Sequence, residues 1–356
     1  MKIHNYSAGP CILPQSVMEK AAESVVNYQN TGLSIVEMSH RSKEFVAVME
    51  KAVALVRELL QVPLDYEVLF LQGGASMQFY MSALNLLPLN GSAAYINTGT
   101  WSSKAIKEAK LLGRIDEVAS SKDENFSYVP KDYTVSQEVS YLHYTSNNTI
   151  FGTQFKELPK TDARLVCDMS SDIMSKAIDV TKYDLIYAGA QKNIGPAGAT
   201  LVIVKKDVLG HTGRVIPSML DYQIHIEKES MFNTPPCFSI YTAMLTMEWL
   251  KELGGVTEIE QRNKAKAELL YQEIDSNPLF RGTAAIEDRS VMNPTFVLED
   301  ASLNDSFLHA SIDAGISGIK GHRSVGGFRA SMYNALELES VQVLVDVMKE
   351  FERTRG

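Results

Sequence analysis

Six short apolar runs punctuate the first two thirds of the chain, at 67–71, 93–96, 139–142, 164–167, 185–187 and 201–204. Each is too short for a helix and reads as a strand buried in a sheet. Helical or turn-like segments separate them, and strands that alternate with helices imply an α/β sheet covered on both faces. Two helices are expected ahead of the first run. Leu13-Pro14 suits a helix start, since proline is tolerated at the first helical position, and Val17, Ala21, Val25 and Tyr28 then repeat at helical spacing. A second helix follows Ser42, with Phe45, Val48, Met49, Ala52, Leu55, Val56 and Leu59 on one face. No repeat period or low-complexity tract interrupts the pattern.

Beyond Pro235-Pro236 the pattern changes. An amphipathic helix is expected up to Leu253-Gly254-Gly255, where glycine stops it. A charged helix over 256–276, a strand over 295–298, a helix over 303–314, a Gly-rich strand pair over 316–333 and a last helix from Leu338 complete an α+β tail. With 356 residues the chain can hold two unequal domains, and the boundary is expected near Gly254-Gly255.

The net charge of −9 argues against general nucleic-acid affinity, but leaves room for a small anion held by local arginines. Residues 1–10 carry Lys2, His4 and Asn5 without an apolar core, so no secretory signal is read there. No run approaches the roughly 18–20 apolar residues of a membrane span. Cys11, Cys167 and Cys237 are far apart with no C-x-x-C, which suggests neither a disulfide framework nor a metal site. A reducing, cytoplasmic location is the expectation.

Chemistry concentrates in DLIYAGAQKNIGPAGATLVIV, residues 184–204, where Lys192 sits between two apolar runs among Gly, Ala and Pro. A single lysine at a strand end is ordinarily a snorkelling cation. Here small neighbours leave room for a flat ligand, and Gln191 adds an amide donor. A partly desolvated lysine can then act as a nucleophile toward a carbonyl. Asp168 ends the apolar run of ARLVCD, and ligands of open α/β sheets collect at the carboxyl ends of strands. Alone, such an aspartate is ordinarily a cap or turn former. Followed 24 residues later by Lys192 on the next run, it forms the pair that a pyridoxal phosphate enzyme requires. The lysine carries the cofactor as a Schiff base, and the carboxylate keeps the ring nitrogen protonated.

The segment YDLIYAGAQKNIGPAGATL resembles the lysine signature of the class V aminotransferases, a branch of the fold type I pyridoxal phosphate enzymes. The resemblance extends along the chain through NYSAGP, SHRS, QGGAS, NTGTWS, SNNTIFG, CDMSSD, FNTPP and GHRSVGGFRASMYN. It implies an aspartate aminotransferase-like fold, with a large mixed-sheet domain over 15–255 and a small α+β domain from 1–14 and 256–356. It also implies a homodimer with shared active sites and one pyridoxal 5′-phosphate per subunit on Lys192. The activity implied is amino transfer between L-glutamate and 3-phosphohydroxypyruvate, with a phosphorylated hydroxythreonine left open as a further substrate.

The remaining site residues are assigned by that resemblance, each beside a plainer reading. Gly73-Gly74-Ala75-Ser76 lies between a strand and a helix, where backbone N–H groups make an anion site. By resemblance Ala75 and Ser76, helped by Gln191, hold the cofactor phosphate, although many members have Gly-Arg at these two positions. Trp101, otherwise core filler, stacks on the pyridine ring. Thr149, otherwise a loop hydroxyl, bonds the cofactor beside Asp168. Asn233 and Thr234, otherwise a turn before two prolines, reach the cofactor phosphate of the neighbouring subunit. Arginine suits a bidentate grip on carboxylates and phosphates. Arg329 is assigned the α-carboxylate of the substrate. His322 and Arg323, with His40 and Arg41 of the partner subunit, are assigned the distal anion.

Four rival readings fail on sequence grounds. GAQKNIGPAG is not a G-x-x-x-x-G-K-[ST] loop, and no G-x-G-x-x-G lies near the amino terminus, so a nucleotide-binding protein is not expected. A desulfurase or lyase on the same fold would carry a cysteine in the tail, and the last one is Cys237. A serine- or alanine-glyoxylate type of class V aminotransferase, the nearest alternative, has no use for two His-Arg pairs, because glyoxylate has no distal group. A relative that had lost its cofactor should lack the lysine or the aspartate, and both are present.

Overall fold

The structure, a computed structural model, describes residues 2–355. Met1 and Gly356, the outermost residues of the expected small domain, lie outside the described residues. Seven strands build the main sheet: β1 Tyr66–Leu71, β2 Ser92–Asn97, β3 Arg114–Ser120, β4 Leu142–Thr145, β5 Leu165–Asp168, β6 Leu185–Gly189 and β7 Thr200–Lys205. Their spatial order is β1-β7-β6-β5-β4-β2-β3. All neighbours are parallel except that β7 runs antiparallel to both β1 and β6, so the sheet is mixed.

Alternation along these strands sorts side chains onto two faces. Phe70, Ile96, Tyr144, Cys167, Ile186 and Ile203 point into a core shared with helices α1 (Gln15–Val26), α2 (Lys43–Leu60) and α6 (Cys237–Glu252). Leu71, Tyr95, Val166, Tyr187 and Val202 point the other way, against α3 (Gly74–Leu86), α4 (Thr100–Ala109) and the short α5 (Tyr222–Glu227). The sheet is thus covered on both sides, as the spacing of the apolar runs requires.

A third core lies in the tail. It is built by α7 (Gly255–Ser276), α8 (Asn304–Asp313), α9 (Leu338–Arg355) and a small antiparallel sheet of β8 (Phe280–Gly282), β9 (Thr295–Leu298) and β10 (Phe328–Arg329). Phe280, Phe296, Phe307 and Phe328 meet there mostly edge to face. The chain start joins this body: His4–Asn5 pairs in parallel with Ile316–Ser317, and Tyr6 is fully buried in the tail core.

Several expectations are corrected. The apolar run 139–142 is not the strand, which begins at Leu142 and continues through His143 to Thr145. Its polar residues are buried, so apolarity marked its wrong end. Strand β3 went unread because RIDEVAS sits at the sheet edge, half exposed and without an apolar run. The Gly-rich stretch 316–333 pairs with itself only at one antiparallel bridge, Lys320 opposite Phe328; its first strand otherwise pairs with the chain start and its second with β9. Helix α6 is not amphipathic but buried along most of its length, because it lies between the sheet, α1 and α2. Pro14 stands at the N-cap of α1 rather than at its first helical position. Val25 is 42% exposed, and Ser24 takes the inward position, accepting Ile35 N–H on its carbonyl.

Candidate active site

The link between β6 and β7 is a compact turn. Lys192 N and Gly195 N both donate to Ala190 O, at 2.7 and 2.8 Å, while Ala190 N is held by Ala199 O at 3.0 Å. This sets Lys192 at the carboxyl end of β6, with its Nζ 5.8 Å from the centre of the Trp101 ring. Burial pulls the ammonium below its ordinary pKa, and Asp168 and then Asp172 oppose that pull. A neighbour that favours the free amine and one that steadies the cation are both present, which is what an amine alternating between the two states needs.

Asp168 is the last residue of β5 and lies opposite Tyr187 in the neighbouring strand. It is 4% exposed, and burial raises its pKa while Ser170 and Lys192 act against that rise. Ser170 N donates to its Oδ1 at 2.9 Å, and Ser170 Oγ receives Gly189 N at 3.1 Å, so one serine fixes both the carboxylate and the strand that leads to Lys192. Next to it, His143 is fully buried and stacked on Tyr95 at 4.6 Å, with Nε2 at 2.8 Å from Tyr187 Oη. Burial pushes His143 down to about 3, so the ring is neutral.

Thr149 gathers the other wall. Trp101 Nε1 donates to Thr149 Oγ1 at 3.0 Å, and Arg329 Nη1 donates to the Thr149 carbonyl at 3.1 Å. Arg329 comes from the tail sheet, where it pairs with Thr295. Its Nε is buried without a partner, and burial lowers its pKa. An unpaired buried guanidinium N–H facing a cleft is a costly donor unless an anion completes it.

At the sheet edge of the cleft, Gly73 adopts φ 90° as N-cap of α3 and offers no side chain to the first turn. A Cβ there would stand 2.5 Å from Met77 Cβ, so only glycine allows this turn. The amides of Gly74, Ala75 and Ser76 are therefore left to bind an anion at the positive end of the helix. Together with the buried carboxylate of Asp168 and the indole of Trp101, these donors fit pyridoxal phosphate, which carries a phosphate, a protonatable ring nitrogen and a flat face.

The structure brings Lys192, Asp168, Trp101, Thr149 and Arg329 into one cleft, with Gln191 half-buried beside Lys192. His322 and Arg323 lie just outside: burial lowers the pKa of His322 first, followed by Arg329, Arg323 and Lys104. Asn233 and Thr234 stand at the rim near their own chain's Gly73, with Gln72 Nε2 donating to Thr234 O at 3.1 Å. His40 and Arg41 are not joined to the cleft by any hydrogen bond or ion pair among the described residues. Arg41 is exposed, and His40 Nε2 is buried without a partner.

Several site residues were missed from sequence. Cys11 Sγ donates to the Lys192 carbonyl at 2.6 Å, although 181 positions separate them. Burial pushes its thiol up to about 12, so it is no nucleophile at neutral pH. Asn193 Oδ1 receives Asn334 N at 3.0 Å, tying the tail beside Lys192. Lys266 of α7, 1% exposed, donates to the carbonyls of Met332, Tyr333 and Leu336 at 2.9–3.1 Å and so holds that same segment. The only signal for Cys11, Asn193 and Asn334 was their place in or beside the motifs NYSAGP, AQKN and SMYN, and Lys266 lies in none of them. Among the described residues no cluster of ligands suits a metal ion, and no helix is long and apolar enough to cross a membrane.

Residues 3–344 match the family model of the class-V aminotransferases. The chain is 61% identical over 353 residues to the phosphoserine aminotransferase of Flavobacterium psychrophilum, with 99% of each protein covered. Among solved structures it is similar to the phosphoserine aminotransferase from Bacillus circulans subsp. alkalophilus, with a TM-score of 0.97, 45% identity and 100% and 99% of the two chains covered. The phosphoserine aminotransferase from Trichomonas vaginalis, solved with pyridoxal phosphate bound, gives a TM-score of 0.93 at 37% identity over 98% of this chain and all of that one.

Proposed function

This chain belongs to the class V aminotransferases, and we propose on that footing that it moves an amino group reversibly between L-glutamate and 3-phosphohydroxypyruvate, giving O-phospho-L-serine and 2-oxoglutarate. Its fold is that of the fold type I enzymes, and pyridoxal 5′-phosphate is its cofactor. The observation that carries the reading is the joining of Trp101 and Arg329 through Thr149, in the cleft that Lys192 enters.

When bound, the cofactor supplies an electron sink for the charge left on the substrate Cα. The amine of Lys192 takes the proton from Cα of the amino acid and returns one to Cα of the keto acid in reverse. Desolvation makes that amine available as a base, and Asp168 limits the shift. Asp168, with Oδ1 already engaged by Ser170, has Oδ2 left to keep a ring nitrogen protonated. Ala75, Ser76 and Gln191 hold the cofactor phosphate, and Trp101 covers the ring. Arg329 grips the α-carboxylate common to both substrates. His322 and Arg323 receive the distal anion, a carboxylate in one substrate and a phosphate in the other.

The working unit is a homodimer, in which Asn233 and Thr234 complete the partner's cofactor site and His40 and Arg41 its substrate site. Exposed apolar side chains beside these residues support this: Leu33 and Val36 at 50% and 58% exposure, Met219 and Phe232 at 44% and 36%. Residues 15–255 form the large domain, and 1–14 with 256–356 the small one, in keeping with the separate tail core. A cytoplasmic place, in a route that ends in L-serine once the phosphate is removed, suits three free cysteines.

A keto-acid panel with glutamate as donor tests the function. 3-Phosphohydroxypyruvate should be preferred strongly over hydroxypyruvate and glyoxylate, and equal use of all three would overturn the reading. Borohydride should fix the cofactor to the peptide that contains Lys192.

A further inference from the structure

Lys104 lies one helical turn beyond Trp101 in α4, so its side chain returns over the indole. Its Nζ is 4.7 Å from the ring centre. The residue is exposed and makes no ion pair among the described residues. The ring it covers is bonded to Thr149, which in turn holds Arg329, so the Lys104 ammonium and the Arg329 guanidinium flank one Trp101–Thr149 unit. Burial first, and then Arg329, Arg323 and Lys104, depress the titration of His322. Three cations therefore act on one protonatable ring. Such a cluster repels itself until an anion enters.

We infer that Lys104 binds the distal phosphate of the phosphorylated substrate and sets the preference for that substrate over glutamate. The inference rests on the function proposed above. A phosphate monoester carries about −1.5 to −2 charges at neutral pH and a carboxylate one, so an added cation favours the phosphate. A lysine suits this task, being a compact charge on a flexible stem that can leave the indole for ligands of different length. A cation–π contact at an exposed site is weak and is readily exchanged for a charge-assisted bond.

The test compares wild-type, Lys104→Met and Lys104→Arg holoenzymes by calorimetry with two unreactive ligands. 3-Phosphoglycerate carries a carboxylate and a distal phosphate, and glutarate carries two carboxylates. Lys104→Met should weaken 3-phosphoglycerate about tenfold and glutarate less than about threefold, whereas Lys104→Arg should stay within about threefold of wild type. The kcat/KM for 3-phosphohydroxypyruvate should fall in step, with the absorbance of the bound cofactor unchanged. Equal weakening of both ligands, or of neither, overturns the inference. So does a changed cofactor spectrum, which would mean that Lys104 acts through Trp101. If the wild type binds 3-phosphoglycerate but does not transaminate 3-phosphohydroxypyruvate, the functional reading fails while the binding data still decide the role of Lys104.

Discussion

Replacing Arg329 tests the substrate grip most directly. Its Nη1 is committed to the Thr149 carbonyl at 3.1 Å, and its Nε is buried with no partner. That leaves the Nε–Nη2 edge, the geometry that holds a carboxylate by two parallel bonds. Arg329→Lys keeps a positive charge but replaces this edge with a point donor, losing one charge-assisted bond of about 1.5–3 kcal/mol. In kcat/KM that is roughly a 10- to 150-fold loss. Arg329→Gln removes the charge and both bonds, so the loss should reach about 3–6 kcal/mol, or two to four decades. The α-carboxylate is common to both substrates, so steady-state kinetics should show similar losses for L-glutamate and 3-phosphohydroxypyruvate. Changes at His322 or Arg323 should instead hurt the phosphorylated substrate more. The absorbance of bound cofactor should be unaltered. A lysine variant within about threefold of wild type, or a loss confined to one substrate, would refute the assignment.

Three further outcomes are expected. His143 is held neutral at about 3 against an ordinary 6.5, so below pH 6.5 the unfolded chain binds a proton that the native chain does not, and stability falls with acid. Urea midpoints should show His143→Phe losing up to about 3 kcal/mol less than wild type between pH 6.5 and pH 4, and parallel curves would exclude the effect. Gly152 has φ 75°, and a Cβ there would stand 2.2 Å from Thr295 Oγ1, so Gly152→Ala should destabilise by about 2–4 kcal/mol. Because Thr295 pairs with Arg329, the same variant should raise KM for both substrates, and an unchanged melting temperature would count against the packing. A heterodimer purified through two tags, one subunit carrying Lys192→Ala and the other Arg41→Ala, should recover about half of wild-type activity, although each homodimer is nearly inactive. Inactive heterodimers would mean that the sites are not shared.

The places of Asp168 and Lys192 were legible from sequence because strand ends are legible. Asp168 and Lys192 each follow an apolar run that is buried in the sheet, and that position alone delivers them to the cleft. Helix α2 was read residue by residue, since Phe45, Val48, Met49, Ala52, Leu55, Val56 and Leu59 are all buried. Reading failed where burial and polarity part company. His143 and Thr145 are buried polar residues within a strand, and β3 is a strand with almost no burial, so neither follows the apolar code.

Sequence by itself determined the α/β class, the tail as a separate element pattern, the strand-end positions of Asp168 and Lys192, and the motifs that mark the family. Tertiary structure decided what stands between them. It set Cys11 against Lys192 across 181 positions, and it joined Trp101, Thr149 and Arg329 from three distant segments. It also swung Lys104 over the indole, and it left Arg329 with a free edge. The physical reason is one of range. Local pattern fixes which face of an element turns inward, because side-chain periodicity is a property of neighbouring residues. Which distant donors meet in one cleft depends on how the sheets and helices pack, and the spacing of residues along the chain carries no trace of that.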